Sequence, residues 1–505
     1  MRQPRIIWVL ENYCVRGEPI SFSEYRYMLD IYADEAQRIV VKKSAQCGGS
    51  EWLIAESLYL AGYLGLVVVY YFPHQSQAND FSWDRINRAI LGSPGIKRLV
   101  KNIDNVKLKQ VGDGSIYIRG ADSMDNVVNV AADCILRDEE DLINPEVIPV
   151  MEERLGASAY KLVRVIGNPT IPNFGIDKLY IESDRRRWFL RCEHCNEWQY
   201  LVFPDNIDFQ RRVVVCRKCR GEMDRSADGE WVAEYPSRDV HGYHISQLIN
   251  PRVSVDEIIA KSQRKSESEI QAFYNFVLGE ARVPQGQQFN EAMIMKCCEP
   301  QYVMPVQSDE ATTAGVDVGK LFHIRVSRVE NGKRRAVFIG ATSSYADLEA
   351  ILRRYRSLYV VIDAAPETRL AKDLAGKLVG RVYLAYFNDN QKELYVVKKV
   401  ENYNVVMINR TQAMDVAYAD FLECQNILPQ NLPPDYVSHL LNATRRIEKD
   451  KYGNDKPVWV RAGDDHYFLA EVYDTIAKHI YLDVLSKVQK IKTKIIKPSI
   501  QIEKF

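Results

Sequence analysis

At 505 residues the chain is too long for a single hydrophobic core, so the sequence predicts two to four domains. Its 67 basic and 67 acidic side chains leave no net charge, which excludes a uniformly basic nucleic-acid binder and leaves any such contact to local patches. No apolar run reaches the roughly eighteen residues of a membrane span, and residues 6–10 are too short for a signal segment, so no membrane partner is expected.

An aromatic-rich stretch at residues 21–32 precedes the first motif. Ser21 and Glu24 match a capping box, which predicts that a helix starts there. The stretch also carries a set of large side chains, Tyr25, Tyr27, Met28, Ile31 and Tyr32. We interpret them either as contacts for an adenine ring or as the core-facing side of a helix.

Residues 42–51, KKSAQCGGSE, stand between a short apolar run at 39–41 and a helical pattern at 52–63. A strand, a glycine turn and a helix in this order predict a phosphate-binding loop, in which backbone N–H groups and the helix N-terminus face the phosphates. A strand–helix turn that holds no ligand is the alternative.

The lysine of this loop is not in the usual place. Ser50 stands where a magnesium-binding hydroxyl belongs, but the residue directly before it is Gly49 rather than lysine. The nearest cations are Lys42 and Lys43, at the strand end of the loop. A lysine that enters from that side reaches the β- and γ-phosphates only in a modified geometry.

Apolar runs downstream of the loop predict buried strands at residues 66–73 and 115–120. A helix is predicted at residues 81–91, with Arg85 near its start. Strands that alternate with helices predict an α/β domain with a parallel sheet.

Two polar turns follow further strands. Residues 134–137 form a short strand that ends in Asp138 and Glu139, where an Asp holds magnesium and a Glu polarises the attacking water in a nucleotide-hydrolysing site. A solvated acidic face is the alternative for this pair. Asn168 follows a strand at 160–167, and its turn is either a sensor of the γ-phosphate that couples hydrolysis to DNA or only a turn.

Four of the ten cysteines form two CxxC pairs separated by a gap of twenty residues. The pairs are Cys192 with Cys195 and Cys216 with Cys219. This spacing predicts four thiolates around a structural Zn²⁺. Residues 198–200 and 213–215 are expected to form a small sheet between the pairs, and His194 is expected to be exposed rather than to bind the metal.

A second domain is predicted to begin near residue 306. Alternating residues at 322–329 lead into Asn331-Gly332, which predicts a hairpin turn and a return strand at 334–339. Asp317 lies in the strand before this hairpin, and Asp363 ends a later strand.

A third acidic position lies near the C-terminus, where residues 463–473 are predicted as a helix with an acidic first turn. Carboxylates in this order are typical of a ribonuclease-H-like nuclease, in which they converge on two magnesium ions. Those ions activate water and stabilise the leaving oxygen of a phosphodiester.

The sequence thus predicts an α/β protein of five segments. They are the first part of a P-loop ATPase domain with a parallel sheet at 1–185, a zinc-ribbon insertion at 186–240, a helical region and linker at 241–305, an RNase H-like nuclease domain at 306–485 and a basic tail at 486–505. The lysine-rich tail is interpreted as disordered or as a contact for DNA or a partner protein.

Together these features resemble the large terminase subunit of tailed phages, specifically its lambda-like branch. The loop at 43–50 matches the unusual loop of that branch, and residues 242–248 and 276–280 also resemble segments typical of it. The resemblance spans roughly residues 20–480. It implies an ATP-driven motor that packages double-stranded DNA into a procapsid and a Mg²⁺- or Mn²⁺-dependent endonuclease that cuts concatemeric DNA.

The resemblance also implies roles for single residues. The ATP phosphates would be held by Lys43, Gln46, Gly48, Gly49 and Ser50. Asp138 would bind magnesium, Glu139 would act on the attacking water, and Asn168 would lie in the coupling turn. Arg85 is a candidate for a cis-acting arginine at the γ-phosphate.

For the nuclease, the resemblance implies metal binding by Asp317, Asp363 and Asp465. Many relatives carry an acidic residue on the last helix at the position of Leu469. Asp464, Asp465 or His466 would therefore complete the site, and Asp465 is the preferred candidate.

Partners are implied only by the resemblance. They are double-stranded DNA, a small terminase subunit, a portal protein and further copies of the chain on the portal, in the host cell cytoplasm and outside the mature virion. A zinc-ribbon DNA helicase or remodelling ATPase with an inactive RNase H-like domain is the main alternative. A DNA-binding assembly protein in which neither site turns over is another.

Overall fold

The computed structural model describes residues 3–283, 288–365, 367–449 and 455–495. The chain divides into two compact units, Met1–Pro284 and Gln285–Phe505. In the described part of the chain, no helix is both long enough and apolar enough to cross a lipid bilayer.

The first unit is built on one large, mostly parallel sheet. The strands of the unit are β1 (Cys14–Val15), β2 (Glu18–Pro19), β3 (Arg38–Lys43), β4 (Val67–Phe72), β5 (Val100–Asn105), β6 (Leu108–Val111), β7 (Gly114–Gly120), β8 (Cys134–Arg137), β9 (Leu162–Gly167), β10 (Arg186–Arg191), β11 (Trp198–Tyr200), β12 (Ile207–Asp208), β13 (Val213–Val214), β14 (Gly229–Ala233) and β15 (His241–Ile245). Strand β1 pairs with β2, and β12 with β13, outside the large sheet. The sheet order is β11-β10-β15-β3-β9-β8-β4-β7-β6-β5, and β14 also pairs with β10. The strands from β10 to β7 in this order run parallel.

Helices cover this sheet. They are α1 (Arg5–Asn12), α2 (Arg26–Ala33), α3 (Gly49–Gly62), α4 (Gln75–Phe81), α5 (Asn87–Gly92), α6 (Pro94–Lys97), α7 (Met124–Val128), α8 (Ile148–Glu152), α9 (Gly175–Glu182), α10 (Val255–Ser262) and α11 (Glu267–Ala272). Strands β3, β4, β8 and β9 are almost entirely buried, which explains their continuous apolar sequence. Because β9 lies between β3 and β8, the turns after these three strands meet at one edge of the sheet.

The second unit has a mixed sheet in the order β21-β22-β20-β19-β16-β17-β18-β23, with β24 and β25 paired separately. Its strands are β16 (Thr312–Val318), β17 (Phe322–Glu330), β18 (Lys333–Thr342), β19 (Ser357–Asp363), β20 (Val382–Phe387), β21 (Tyr395–Val400), β22 (Tyr403–Ile408), β23 (Asn426–Ile427), β24 (Ala443–Lys449) and β25 (Asp455–Arg461). Its helices are α12 (Glu291–Lys296), α13 (Tyr345–Arg354), α14 (Thr368–Lys377), α15 (Arg410–Leu422), α16 (Tyr436–Leu441) and α17 (His466–Ile495). The predicted hairpin is confirmed, since Asn331 and Gly332 both have positive φ and join β17 to β18.

Three local expectations differ from the structure. Residues 241–245 form β15, a buried parallel strand between β3 and β10, rather than a helix, because alternating large side chains pack on both faces of the sheet. The first helix after the N-terminal hairpin begins at Arg26, not at Ser21. Helix α17 begins at His466, so Asp464 and Asp465 precede it and do not form its first turn.

The cysteine-rich segment is joined to the main sheet more closely than expected. Strand β11 pairs with β10 of that sheet, whereas β13 pairs with β12. The two stretches that were expected to form one small sheet are therefore in different sheets.

The division between the units falls at residue 284, whereas the sequence placed the start of the second domain near residue 306. Phe289 and Ile294, which lie in the expected linker, are buried in the core of the second unit. The predicted basic tail lies partly in α17, which continues to Ile495, and residues 496–505 lie outside the described residues.

Candidate active sites

The loop between β3 and α3 turns sharply into the helix. Gln46 and Gly48 have positive φ, and Gly48 is the N-cap residue of the 14-residue helix α3. Two backbone hydrogen bonds fix the loop. The Ser44 N–H donates to the Ile245 carbonyl at 2.7 Å, and the Ala45 N–H donates to the Phe276 carbonyl at 2.8 Å. The N-terminus of α3 thus opens at the carboxyl edge of the sheet, where it favours an anion.

The Lys43 side chain lies over the start of α3. A Cβ atom built on Gly49 would lie 2.9 Å from Lys43 Cδ, so glycine is needed for the lysine to lie there. Lys43 Nζ donates to Asn168 Oδ1 at 3.3 Å, and Asn168 Nδ2 donates to the Lys43 carbonyl at 2.9 Å. These contacts place a lysine at the loop from the strand side and tie it to the turn after β9.

Lys42 points elsewhere. Its Nζ atom lies 3.2 Å from Asp177 Oδ1 and 2.8 Å from Glu280 Oε2, and its side chain is buried. Glu280 also lies beside His244 and Arg187, and although burial raises its pKa, the charges of His244, Lys42 and Arg187 outweigh burial and lower the pKa to about 2. Lys42 is therefore part of a buried charge cluster, so Lys43 is the lysine at the loop.

Asp138 lies beside the loop at the end of β8. Its buried carboxylate accepts hydrogen bonds from the hydroxyl groups of Tyr70, at 3.2 Å, and Ser50. Burial raises the pKa of Asp138 above its ordinary value, and the charge of Lys43 opposes that shift. The predicted hydroxyl and carboxylate are thus neighbours.

Glu139 adopts a left-handed backbone conformation with φ of 60°, and its carboxylate accepts a hydrogen bond from Gln77 Nε2. Arg137, which directly precedes Asp138 and Glu139, does not disturb the site. Arg137 is buried and forms ion pairs of 2.8 Å with Glu140 and Glu152. The acidic stretch therefore divides between a site carboxylate and structural ion pairs.

A cleft of about 600 Å³ opens beside the loop. The expected loop residues that line it are Lys43, Gln46, Gly48, Gly49 and Ser50. Tyr25, Met28 and Tyr32 line the same cleft, although Met28 and Tyr32 also belong to the core. Arg85 lines it too, with Nη2 2.8 Å from Glu51 Oε2.

The four cysteines of the two CxxC pairs converge. Their sulfur atoms lie within 4.8 Å of one another, and the Cys192–Cys219 and Cys195–Cys216 Sγ separations are both 3.7 Å. Zn–S bonds of about 2.3 Å in a tetrahedron give S–S edges of about 3.8 Å, so the spacing fits such an ion. His194 is exposed, as expected.

In the second unit, two of the predicted carboxylates lie on neighbouring parallel strands. Asp317 of β16 and Asp363 of β19 each follow the paired residues Val316 and Ile362. Burial, with repulsion from Asp317, raises the pKa of Asp363 to about 6, although backbone N–H groups oppose the shift. The Tyr473 hydroxyl donates a hydrogen bond to Asp363.

The structure distinguishes the three candidates for the last position. Asp465 is only 2% exposed, and its Oδ1 atom has no hydrogen-bond partner among the described residues. His466 Nδ1 lies 2.8 Å from Asp317 Oδ2, and this contact raises the pKa of His466. Asp464 is exposed. Burial and repulsion from Asp317 raise the pKa of Asp465, although the charge of Arg461 opposes the shift, so Asp465 lies near Asp317 as His466 does. We call Asp317, Asp363, Asp465 and His466 the carboxylate centre.

A close helix–strand crossing brings α17 to this centre. A Cβ atom on Gly315 would lie 2.1 Å from the Ala470 carbonyl oxygen and 2.2 Å from the Asp474 amide nitrogen. Below the crossing, Glu471 forms ion pairs with Arg325 at 2.8 Å and with Arg334 at 3.0 Å. Glu471 is therefore paired with two buried arginines of the second unit.

The sequence analysis did not identify several of these contributors. They include Gln77, Gly315 and Tyr473. A glycine inside a strand pattern often marks a close backbone approach, so Gly315 carried a usable signal. The others carried none, because their partners lie far away in the sequence.

Two family models match the chain. The model described as "Phage terminase large subunit gpA, ATPase domain" matches residues 25–234. The model described as "Terminase large subunit gpA, endonuclease domain" matches residues 240–332. Together they span more than half of the chain. No curated protein matches it.

Solved structures of similar fold include the large terminase of bacteriophage HK97, which is 13% identical with a TM-score of 0.57; the match covers 93% of this chain and 98% of that one. The large terminase of a thermophilic bacteriophage is 11% identical over 90% and 98% of the two chains, with a TM-score of 0.35. The ATPase domain of the Thermus phage P74-26 large terminase is 16% identical over 52% and 95%, with a TM-score of 0.32. The first match shows a shared fold, and the other two carry no argument at these TM-scores.

Proposed function

Because this chain belongs to the family of phage terminase large subunits, we propose that it hydrolyses ATP at the loop of Lys43 and cuts DNA at Asp317, Asp363 and Asp465. The protein is an ATPase and an endonuclease of viral DNA packaging.

The observation that carries the ATP site is the position of Lys43 over Gly49. It places a cation at the start of α3, where the missing lysine would otherwise stand, and the Ser50 hydroxyl adjoins the Asp138 carboxylate. Ser50 and Asp138 would hold Mg²⁺, whose charge would neutralise that of the β- and γ-phosphates. Lys43, Gln46, Gly48 and Gly49 would contact the phosphates.

Glu139 would orient the attacking water, and Gln77 would hold the Glu139 carboxylate in place. Asn168 would couple the state of the phosphates to the sheet, because it bonds both the side chain and the backbone of Lys43. Arg85 remains a candidate for a cis-acting arginine, and its ion pair with Glu51 would have to break before it reached a phosphate.

The ATP site is tested by comparing Lys43→Ala with Lys178→Ala, a change at an exposed lysine of α9. We expect the first change to lower the ATPase turnover rate at least ~100-fold, since it removes a preorganised cation, and the second to leave it unchanged. Full turnover in Lys43→Ala would contradict the assignment.

The carboxylate centre fits divalent metal ions. The buried Oδ1 atom of Asp465 has no hydrogen-bond partner among the described residues, and burial with repulsion from Asp317 raises the pKa of Asp363, so a cation beside these carboxylates would be favourable. Asp317, Asp363 and Asp465 would hold Mg²⁺ or Mn²⁺, which supplies an activated water and stabilises the leaving oxygen of the phosphodiester. Tyr473 would orient Asp363, and His466 would orient Asp317.

Plasmid cleavage with Mg²⁺ or Mn²⁺ tests this centre. We expect Asp317→Asn to lower the cleavage rate at least ~100-fold, while Asp373→Asn, at an exposed carboxylate of α14, has no effect. Cleavage by Asp317→Asn at the wild-type rate would move the centre elsewhere. Failure of the wild-type protein to cleave DNA with either metal would contradict the nuclease assignment and favour a helicase or remodelling ATPase with an inactive RNase H-like domain.

The four-cysteine cluster would hold a structural Zn²⁺. Gln199 Nε2 donates to Cys216 Sγ at 2.9 Å, and although burial opposes it, this bond and nearby backbone N–H groups lower the Cys216 pKa to about 6. We expect metal analysis to find about one equivalent of zinc, lost in Cys219→Ser and retained in Cys14→Ser. Less than about half an equivalent in the wild-type protein would count against zinc.

The remaining partners follow from the family. The chain would act on double-stranded DNA with a small terminase subunit and a portal protein, as several copies on the portal, in the host cell cytoplasm and outside the mature virion. Co-purification with the portal protein of the same phage, with size measured by light scattering, tests the assembly. A monomer that does not bind the portal would contradict it.

A further inference from the structure

A cluster of three histidines lies beside the carboxylate centre of the second unit. His323 is on β17, His439 is on α16 and His466 begins α17. The ring centroid of His323 is 4.8 Å from that of His466 and 5.4 Å from that of His439, and the His439 and His466 centroids are 5.8 Å apart. Three elements that are distant in sequence thus bring their imidazole rings together.

The central ring is buried and incompletely bonded. His323 is only 5% exposed, and its Nδ1 atom has no hydrogen-bond partner among the described residues. A buried ring nitrogen without a partner costs free energy, which a ligand to that nitrogen would offset. This nitrogen is therefore an observation in favour of a bound ligand that is independent of the clustering.

A carboxylate, Asp435, completes the set, and His323 also has a ligand atom within 4.8 Å of Asp317 and His466. Asp435 Oδ2 lies 3.9 Å from His439 Nε2, and single ligand atoms of His323, Asp435 and His439 all lie within 4.8 Å of one another. Asp435 is about half exposed, so an ion can enter from solvent, whereas both histidines are buried. The Tyr467 backbone N–H donates a long hydrogen bond of 3.4 Å to His439 Nδ1, and an ion at Nε2 would replace that bond with a proton on Nδ1.

We propose that His323, His439 and Asp435 form a second metal site, which takes a transition-metal ion of the Zn²⁺, Co²⁺ or Ni²⁺ class. Imidazole nitrogen is a preferred ligand of these ions, whereas Mg²⁺ prefers oxygen ligands such as those of the neighbouring carboxylate centre. The two centres would therefore select different metals. The inference about metal binding does not depend on the nuclease assignment.

The second site would also influence the first. The His323 and His466 rings stack with an interplanar angle of 10°, and His466 in turn bonds Asp317. An ion on His323 would fix that ring and, through the stack, the orientation of His466. His323 would thus act as a positioning residue for the carboxylate centre.

Cobalt titration of the full-length protein tests the proposal. The four-cysteine cluster is first filled with zinc, and millimolar Mg²⁺ is kept present to occupy the carboxylate centre. We expect one further equivalent of Co²⁺ to bind, with visible absorption bands typical of nitrogen and oxygen ligands. Sulfur-to-metal charge-transfer bands would instead show that cobalt had entered the cysteine cluster, and without the nitrogen–oxygen bands this would overturn the proposal.

Variants locate the ion. We expect His439→Ala to weaken Co²⁺ binding at least ~100-fold and Asp435→Asn, at a half-exposed side chain that the fold does not need, on the order of tenfold. His74→Ala, at an exposed histidine of the first unit, should bind as the wild type does. Unchanged binding in both site variants, or loss of binding only in Asp317→Asn, would overturn the proposal.

Discussion

Gly49 and Lys43 act as a pair at the scale of single residues. The lysine stem occupies the space that a side chain at position 49 would need. Glycine at position 49 and lysine at position 43 are therefore two parts of one arrangement. Glycine at the vacated position is required by this arrangement.

Gly49→Ala should therefore impair ATP hydrolysis without unfolding the protein. Its methyl group would displace Lys43 from the start of α3, and we expect ATPase turnover to fall at least ~10-fold. Gly376→Ala is a matched control, because a Cβ there meets no described atom within 4 Å. Wild-type turnover in Gly49→Ala would show that Lys43 has room to move and still function.

The adjacent lysines should differ in what their loss costs. Lys42→Ala would leave Asp177 and Glu280 without their shared counter-ion, and we expect it to reduce stability by about 3 kcal/mol. Lys43→Ala should change stability by less than ~1 kcal/mol while it abolishes turnover. Urea unfolding of both variants, followed by circular dichroism, measures the difference. Equal midpoints would show that the buried cluster does not depend on Lys42.

Asp363 should impose a pH dependence near 6. Because its folded pKa is raised above the ordinary value of 3.8, its protonated form stabilises the metal-free fold at low pH, and this contribution is lost as pH rises through about 6. Metal ions bind the ionised form, so Mn²⁺ affinity should rise over the same interval. Electron paramagnetic resonance measures Mn²⁺ binding at pH values from about 5 to about 8, an interval that includes this pKa. The step should disappear in Asp363→Asn, and a step that persists would belong to another group.

At the scale of elements, the crossing of α17 over β16 decides where the nuclease ligands lie. Gly315 allows the two backbones to approach, and ion pairs of Glu471 with Arg325 and Arg334 hold the helix there. His466 reaches Asp317 because the helix begins at His466, just before the crossing at Ala470, and Asp465 directly precedes it.

Gly315→Val should move α17 away from β16. Its Cβ would clash with the backbone of Ala470 and Asp474, so we expect DNA cleavage to fall at least ~100-fold and the unit to lose about 3 kcal/mol of stability. The cleavage assay and a thermal melt measure both effects. Gly332→Asn, at an exposed hairpin position with positive φ that asparagine tolerates, is the control. Normal cleavage by Gly315→Val would mean that the crossing is not needed to place Asp465.

The phosphate loop is likewise supported by elements that follow it late in the sequence. Strand β15 and the segment ending at Phe276 accept hydrogen bonds from the loop backbone, and Glu280 pairs with Lys42. The region that the sequence predicted as mostly helical thus contains the strand that anchors the loop.

At the scale of the whole molecule, each proposed catalytic centre takes its residues from one compact unit. The loop, Asp138 and Glu139 belong to Met1–Pro284, and the three nuclease carboxylates belong to Gln285–Phe505. The chain therefore keeps two chemistries apart in one polypeptide.

Reciprocal loss of function should follow. We expect Lys43→Ala to retain DNA cleavage within about twofold in the absence of ATP, and Asp317→Asn to retain basal ATPase activity within about twofold, since neither change touches the other site. Both assays on both variants give the comparison. A nuclease that fails in Lys43→Ala without ATP would show that the two centres depend on each other.

Short-range patterns in the sequence were sufficient to predict the ATPase and nuclease activities and most of the strands. The glycine loop, the strand-end Asp138-Glu139 pair, the CxxC spacing and the Asn331-Gly332 turn each depend on neighbours close in sequence, so local geometry constrains them. The order of these motifs also indicated an ATPase followed by a nuclease, which the family models confirm.

Only the tertiary structure decided between residues that are equivalent by pattern. Lys42 and Lys43 differ because Glu280 lies beside one of them, and Asp464 and Asp465 differ because only one is buried against the sheet. The histidine cluster likewise depends on three elements that meet only in the folded chain. Burial and charge pairing across long sequence separations are properties of packing, and a local pattern carries no information about them.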